Sequence, residues 1–525
     1  MKESGLGLSG FSNKKHRYVT AAIIIFLFII SILVRMTYLN RPLSDHHEWL
    51  TSTVLIHERI WYEQGGLKYK FCPPLTFENK ADKNIPNAAS NHKDQSGNYY
   101  YTSYPPFAYV LPYLIFRLLN IYPSALPLQI FNLFFHFVSA IFVFLIVVLL
   151  TKERYQGRLN TPAIIGYALY VFAPATMWYQ SNVYMADMFV QSLFIIEIYV
   201  FLKLIADENR KPIYLVFLGL VNFLAIYTEW LGLLLAFTIS LYALFNIKHK
   251  EMKVVLYVVA ATTIASLTLL VWQYAQIDGL NAFIQASARK YVERSGVSKS
   301  TNLNYWSLAS WEAIASNYIY GYLPLLVLLF SFAVLYFYKV TRSLTPKVFS
   351  EKRIKVALYL SIVPVVLHHL IFFNFTANHD FSALKSSVAI VILIALLYQS
   401  LVTYFQMNGL KGHKSLSALA VSGLVILMAI GSVMQYLVVN RQWSSQYMNI
   451  GRTIANTSEK DEVIFLNEEF ILPQIVLYAH RNIASWVNEE HAKELIKLNG
   501  AKQGVLFILS PDDKQVVRKK YINVD

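Results

Sequence analysis

The sequence predicts a polytopic α-helical membrane protein. It has about eleven transmembrane helices, a long first outer loop with interfacial helices, and a small C-terminal α/β domain on the outer face. Three observations predict this. The 525 residues are 56% hydrophobic and 15% charged, with a mean hydropathy of +0.41, whereas a soluble domain is about 45–50% apolar and about 25% charged. The apolar excess falls in blocks of roughly 17–25 residues, not in period-2 or one-sided period-3.6 patterns. After Asn440 the composition changes to short apolar runs separated by charged segments. Together these exclude a soluble enzyme, a disordered chain and a secreted disulfide scaffold. The single cysteine, Cys72, excludes an intramolecular disulfide and a cysteine metal cluster.

The first block runs from Tyr18 to about Leu39, behind Lys14, Lys15, His16 and Arg17. It is too long for a signal peptide and no small-residue cleavage site follows, so it reads as a retained span with its N-terminus inside. A polar stretch leads to Phe107–Asn120, which is short and contains Pro112. At 1.5 Å per residue it reaches only about 21 Å, so it lies along the interface or re-enters. Residues 41–125 therefore form the first outer loop. Further spans are expected at Leu126–Leu150, Pro162–Trp178, Asp187–Ala206, Ile213–Tyr227, Leu231–Asn246 and Val254–Tyr274. The last four are Asn317–Tyr338, Ile354–Phe373, Ala383–Phe405 and Leu416–Val439.

The alternate loops hold Arg154 and Arg158, Arg210 and Lys211, Lys248 to Lys253, Lys339 to Lys355, and Lys411 and Lys414. Basic inner loops account for the net charge of +15 without nucleic acid. An odd number of spans places the C-terminus outside. In residues 441–525, "DEVIFL", "NIASWV" and "GVLFIL" read as strands, and "EEFILPQIVLYAH" and "NEEHAKELIKLNG" as helices. The alternation argues a small α/β domain. It has no glycine-rich phosphate fingerprint. Residues 1–440 are then the transmembrane catalytic part.

Four polar clusters are candidates for chemistry, because ionisable groups near a bilayer are costly and need a reason. "SDHHEWL" places Asp45, His46, His47 and Glu48 in succession after the first span. It lacks the second histidine of a zinc-protease helix. "YTSYPPFAYVLPY" holds Tyr104 before a double proline that fixes an extended approach. "QSNVYMADMFVQ" places Asp187 at a span end, where a helix cap is the structural alternative. "NFTANHDFSALK" holds His379, Asp380 and Lys385, suited to a phosphate at headgroup depth. Glu229 in "YTEWLG" is weaker, and Glu197 reads as a buried structural group. The loop 275–316 contains Arg289, Lys290 and Arg294, of which the first two are expected to meet a lipid phosphate. Its alternative is an amphipathic interfacial helix. One topology puts all four clusters on one face, whereas unrelated surface groups would scatter over both.

On these residues the chain resembles integral-membrane glycosyltransferases of the GT-C superfamily. "SDHHEWL" is similar to the segment carrying the acid after the first span, with Asp45 as the matching aspartate. "YPPFAY" resembles the Tyr-Pro-Pro opening of a juxtamembrane helix. "MADMFVQ" resembles the second-outer-loop aspartate, here Asp187. "NHDFSALK" resembles a segment of dolichol-phosphate-glucose-dependent enzymes, with His379 and Asp380 matching. Asp45 is followed by two histidines, where protein mannosyltransferases have Asp-Glu.

The resemblance implies an inverting transfer from a polyprenyl-phosphate sugar to a hydroxyl of a lipid, glycan or protein. It would occur at the outer face of a bacterial cytoplasmic membrane, with Asp45 as general base. His379, Lys385, Arg289 and Lys290 would meet the donor phosphate, and Glu48 and Asp187 would assist. The resemblance leaves open a divalent metal, Mg2+ or Mn2+, on Asp45, Asp187 and His379. The alternatives are a transporter or flippase of lipid-linked glycans, or a polymerase. No repeat or midplane charge pattern of a transporter is evident, and the early acids are not the outer-loop arginines expected of a polymerase.

Overall fold

A computed structural model describes residues 14–44, 46–87, 89–90, 92–151, 159–206, 212–297, 303–340, 348–408, 414–439, 443–510 and 515–524. Asp45 lies outside the described residues.

The bundle opens with α1 (Lys14–Arg35). The first loop holds α2 (Glu48–Gln64), a short antiparallel pair β1 (His92–Lys93) and β2 (Tyr99–Tyr100), and α3 (Phe107–Leu119). Then come α4 (Ala125–Thr151), α5 (Thr161–Phe172), α6 (Pro174–Tyr179), α7 (Ala186–Ala206), α8 (Pro212–Ile226), α9 (Trp230–Phe245), α10 (Lys250–Asp278) and α11 (Leu280–Ser295). They are followed by α12 (Leu308–Leu335), α13 (Lys352–Ile371), α14 (Phe373–Asn378), a 3-10 segment Asp380–Ser386, α15 (Ser387–Asn408) and α16 (Lys414–Val439).

Among the described residues eight helices are long and apolar enough to cross a membrane, and the chain is a multi-pass helical membrane protein. The other three expected spans are α5, α8 and α9, of 12, 15 and 16 residues. The block expected as one span at Pro162–Trp178 is broken, because Ala173 is extended before Pro174 and α6 starts afresh. Within the bundle, α7 packs on α4 and α8, α10 on α8 and α9, and α15 on α5, α12 and α16.

The segment expected at the interface is α3. It packs on α2 and α7 and leaves Leu114, Leu118 and Leu119 exposed. Its start is tied down by the Phe107 amide, which donates to the Tyr227 carbonyl at 3.1 Å.

The C-terminal region has the expected alternation of strands and helices. It comprises α17 (Gln446–Thr457), β3 (Val463–Leu466), α18 (Pro473–Ala479), β4 (Ile483–Ser485), α19 (Glu489–Leu498), β5 (Gln503–Leu509) and β6 (Val516–Asn523). Strand order is β4-β3-β5-β6, with β3 parallel to β4 and β5. The unexpected β6 closes the edge antiparallel to β5. This sheet is packed on the first loop: Ala81 and Ile85 are buried in one cluster with Val463, Phe465 and Leu506. Arg481 Nε donates to Asp82 Oδ1 at 2.8 Å, and the Asn482 amide to Asp82 Oδ2 at 3.1 Å.

Candidate active site

The first loop, the α6–α7 turn, α11 and the α14–Ser386 segment meet at the end of the bundle that carries the C-terminal sheet. They enclose a cavity of about 300 Å³ whose wall includes Tyr104, Asp187, Lys290, Arg294, His379 and Phe470.

Asp187 sits in the first turn of α7 and Lys385 in the 3-10 segment before α15. The Lys385 ammonium donates to Asp187 Oδ1, and the two side chains are 0% and 1% exposed. Asp187 Oδ2 is buried with no hydrogen-bond partner among the described residues. Glu229 lies behind this pair. It caps α9 by accepting from the Leu231 amide at 2.7 Å, and its other oxygen is 3.2 Å from His368 Nε2. Asp187, Glu229 and His368 bring their ligand atoms within 4.8 Å of one another. Two buried carboxylates therefore share one buried ammonium, an arrangement that survives at low dielectric only when the charges are paired.

Arg294 supplies the second strong positive charge. Its guanidinium lies 4.9 Å over the rings of both Tyr104 and Phe375. The tyrosines and the Asp187 carboxylate around it raise its pKa further, against the cost of burial. Lys290 is one helical turn earlier on α11, where it pairs with Glu293 at 2.8 Å. Arg289 is exposed and does not line the cavity. Sequence reasoning placed the phosphate contact on Arg289 and Lys290. The i, i+4 spacing of Lys290 and Arg294 was the signal that those two share a face.

Behind Lys290, Arg294 and Ser103 opens a second cavity of about 250 Å³, mostly apolar, walled also by Trp230, Ala286, Tyr291 and Phe372. The two basic side chains thus line both chambers, of which the second is the more apolar.

The fourth cluster divides between two environments. His379 lines the cavity with its ring stacked on Phe381 at 5.0 Å. Burial, aided by the neighbouring His47, pushes its pKa down to about 4, so it faces the cavity as a neutral imidazole. Asp380 turns away from it. Its carboxylate meets His46 Nε2 at 2.6 Å and His47 Nε2 at 2.8 Å, and the Tyr179 hydroxyl donates to it at 2.6 Å.

Glu48 does not line the cavity. It is fully buried and bound through both oxygens by Arg41 at 3.0 and 3.1 Å, and it accepts from the Ser44 amide at 2.9 Å. It holds the turn that precedes α2, because an unpaired carboxylate there would carry a large desolvation cost. Of the metal set expected on Asp45, Asp187 and His379, Asp45 lies outside the described residues. Among the described residues Asp187 groups with Glu229 and His368, and Asp380 groups with His46 and His47. Phe470, from the C-terminal region, reaches the cavity wall without any motif that marks it in the sequence.

A scan of family models finds no match, and a sequence comparison with curated proteins finds no relative. Solved structures do match. The archaeal oligosaccharyltransferase AglB from Archaeoglobus fulgidus, in complex with an inhibitory peptide and a dolichol-phosphate, superposes with a TM-score of 0.59 at 13% identity, over 94% of this chain and 70% of that one. ArnT from Cupriavidus metallidurans, bound to undecaprenyl phosphate, gives 0.59 at 12% identity, over 96% and 97%. The Archaeoglobus enzyme in complex with Zn and sulfate gives 0.55 at 13% identity, over 92% and 68%. The chain therefore has the fold of these proteins along nearly its whole length.

Proposed function

We propose that the protein is a glycosyltransferase that moves a sugar from a polyprenyl-phosphate carrier to an acceptor hydroxyl, with inversion. The reaction takes place at the outer face of a bacterial cytoplasmic membrane. One observation carries the reading: Lys290 and Arg294 line both the cavity that contains Asp187 and a second, more apolar one. A lipid-linked sugar has that same order of parts, with an apolar chain, a phosphate and a sugar. The chain would enter the apolar cavity, the phosphate would rest on Arg294 and Lys290, and the sugar would face Asp187, Tyr104 and His379. Two of the structural neighbours hold a dolichol-phosphate and an undecaprenyl phosphate.

In the transfer, the acceptor oxygen forms a bond to the anomeric carbon as the bond from that carbon to the phosphate oxygen breaks. The acceptor proton goes to a carboxylate, and the leaving group is the lipid phosphate. Asp45 is the proposed base. The sequence supports this through its place between Ser44, whose amide is fixed by Glu48, and His46. Charge growing on the leaving phosphate is stabilised by preorganised cations, a part that suits Arg294 and Lys290. Lys385 is committed to Asp187 and orients that carboxylate toward the sugar.

The test uses membranes containing wild type or Asp45→Asn with a labelled polyprenyl-phosphate sugar, following the label into lipid, glycan and protein. Donor-dependent transfer by wild type, lost in Asp45→Asn with donor binding kept, is expected. Normal transfer by Asp45→Asn would remove Asp45 as base, and absence of transfer from any polyprenyl-phosphate sugar would remove the reading.

A further inference from the structure

Outside the cavity, three side chains converge from chain segments 334 positions apart. His46 and His47 lie in the turn before α2, and Asp380 opens the 3-10 segment that carries Lys385. Each imidazole directs Nε2 at a different oxygen of the same carboxylate, at 2.6 Å for His46 and 2.8 Å for His47. All three ligand atoms lie within 4.8 Å of one another.

We propose that His46, His47 and Asp380 form a binding site for a divalent transition metal of the zinc class, separate from the sugar cavity. Four features of the site support it. The donor set, two imidazoles and one carboxylate, is the set that borderline metals favour, whereas Mg2+ prefers all-oxygen sites. The spacing is close to what a metal needs: ligands at about 2.0–2.1 Å from tetrahedral zinc lie roughly 3.3 Å apart, so each arm needs to open by less than about 1 Å.

The backbone is set up for it as well. His47 is held in the left-handed region, at φ 58° and ψ 8°, a conformation unfavourable for a non-glycine residue. This conformation turns consecutive histidines onto one target, and the Trp178 indole fixes it by donating to the His46 carbonyl at 3.1 Å. Finally, the site has an outer shell and an entrance. The Tyr179 hydroxyl orients Asp380, as groups around metal ligands do. The His46 side chain is 48% exposed, against 13% for His47, so an ion can enter from solvent and be completed by water.

The metal joins the start of the first loop to the segment bearing Lys385, next to His379, whose ring lies 5.9 Å from that of His47. The site stands whether or not the protein transfers sugar, and its test reads metal and not turnover.

Full-length protein in detergent is stripped with a chelator and titrated with Zn2+ against a chromogenic competitor. Metal content is measured after gel filtration, and thermal midpoints with and without Zn2+ are compared. Wild type is expected to retain about one Zn2+ per chain and to melt at higher temperature with it. His46→Ala and Asp380→Asn should weaken binding at least about 100-fold, and Tyr179→Phe about 10-fold. His46 is half exposed, so its variant tests the site without disturbing the core. Asp187→Asn, which alters the other group of ligands, should bind as wild type does. A folded wild type that takes up no Zn2+, or equal uptake by His46→Ala, would overturn the site. Metal lost in Asp187→Asn but kept in His46→Ala would overturn it too.

Discussion

Lys385 and Asp187 form a buried ion pair across 198 positions of sequence, linking the 3-10 turn before α15 to the first turn of α7. Neither side chain is more than 1% exposed. Breaking such a pair strands a charge and typically costs about 3–5 kcal/mol, whereas replacing both partners with apolar groups is often neutral. Lys385→Met is therefore expected to lower the thermal midpoint sharply and abolish transfer. Lys385→Met with Asp187→Leu should regain much of the stability and none of the activity. Melting curves and a transfer assay on both variants check this. A double variant as unstable as the single one would show that Glu229, not Asp187, is the main partner.

Arg294 and Arg289 lie on one helix and should differ widely in effect. Arg294 stacks between Tyr104 and Phe375 and lines both cavities, while Arg289 is exposed. Removing a preorganised charge from a leaving group costs about 10²–10³ in rate. Arg294→Ala should lose that much donor-dependent turnover, and Arg294→Lys should recover only part, because an ammonium does not reproduce the stacked planar fork. Arg289→Ala should stay within about twofold of wild type, as exposed charges contribute little. Equal losses in the two alanine variants would remove Arg294 from the phosphate site.

The fold was legible because it rests on block length and charge bias, both of which are local in sequence. The short helix α3 was readable from its brief apolar run around Pro112, and the C-terminal strands from their alternation. The break inside Pro162–Trp178 was signalled by "APAT" but hidden by unbroken hydrophobicity. Within the site, acids at span ends stood out because they are scarce there. Their pairing did not, since nothing local tells that Lys385 reaches Asp187, that His46 and His47 share Asp380, or that Glu48 is satisfied by Arg41. Phe470 enters the cavity through the docking of a distant sheet, and such contacts have no sequence period.

His57 gives a pH dependence that can be isolated. It is fully buried in α2, with Nδ1 2.7 Å from the Pro74 carbonyl and Nε2 without a partner among the described residues. Burial pushes its pKa from 6.5 down to about 4. The folded protein thus binds fewer protons here than the unfolded chain. The stability that His57 contributes is complete above pH 6.5 and is lost as pH falls toward 4, by about 3 kcal/mol in total. His57→Asn keeps a donor for the Pro74 carbonyl and removes the titration. Its thermal midpoint should fall less than that of wild type between pH 6.5 and 4.5, and parallel curves would show that His57 does not titrate in this window.

Arg481 is the fastening between the C-terminal sheet and the first loop. Its Nε donates to Asp82 at 2.8 Å, and its two terminal nitrogens donate to the carbonyls of Glu459 at 2.8 Å and Glu462 at 2.7 Å. Asp82 is fully buried, so Arg481→Ala leaves a carboxylate with only the Asn482 amide to satisfy it. Such a loss typically costs about 3–5 kcal/mol, and it falls on the contact surface and not on the bundle. The expected result is faster amide exchange at residues 77–85 and 481–485, with exchange in α7 and α15 unchanged. Transfer should fall as well, because Phe470 reaches the cavity only while the sheet is docked. Arg481→Lys should rescue little, since one ammonium lacks the fork that serves three acceptors at once. Unchanged exchange at residues 77–85 in Arg481→Ala would mean that the apolar cluster of Ala81, Ile85, Val463 and Phe465 holds the sheet by itself.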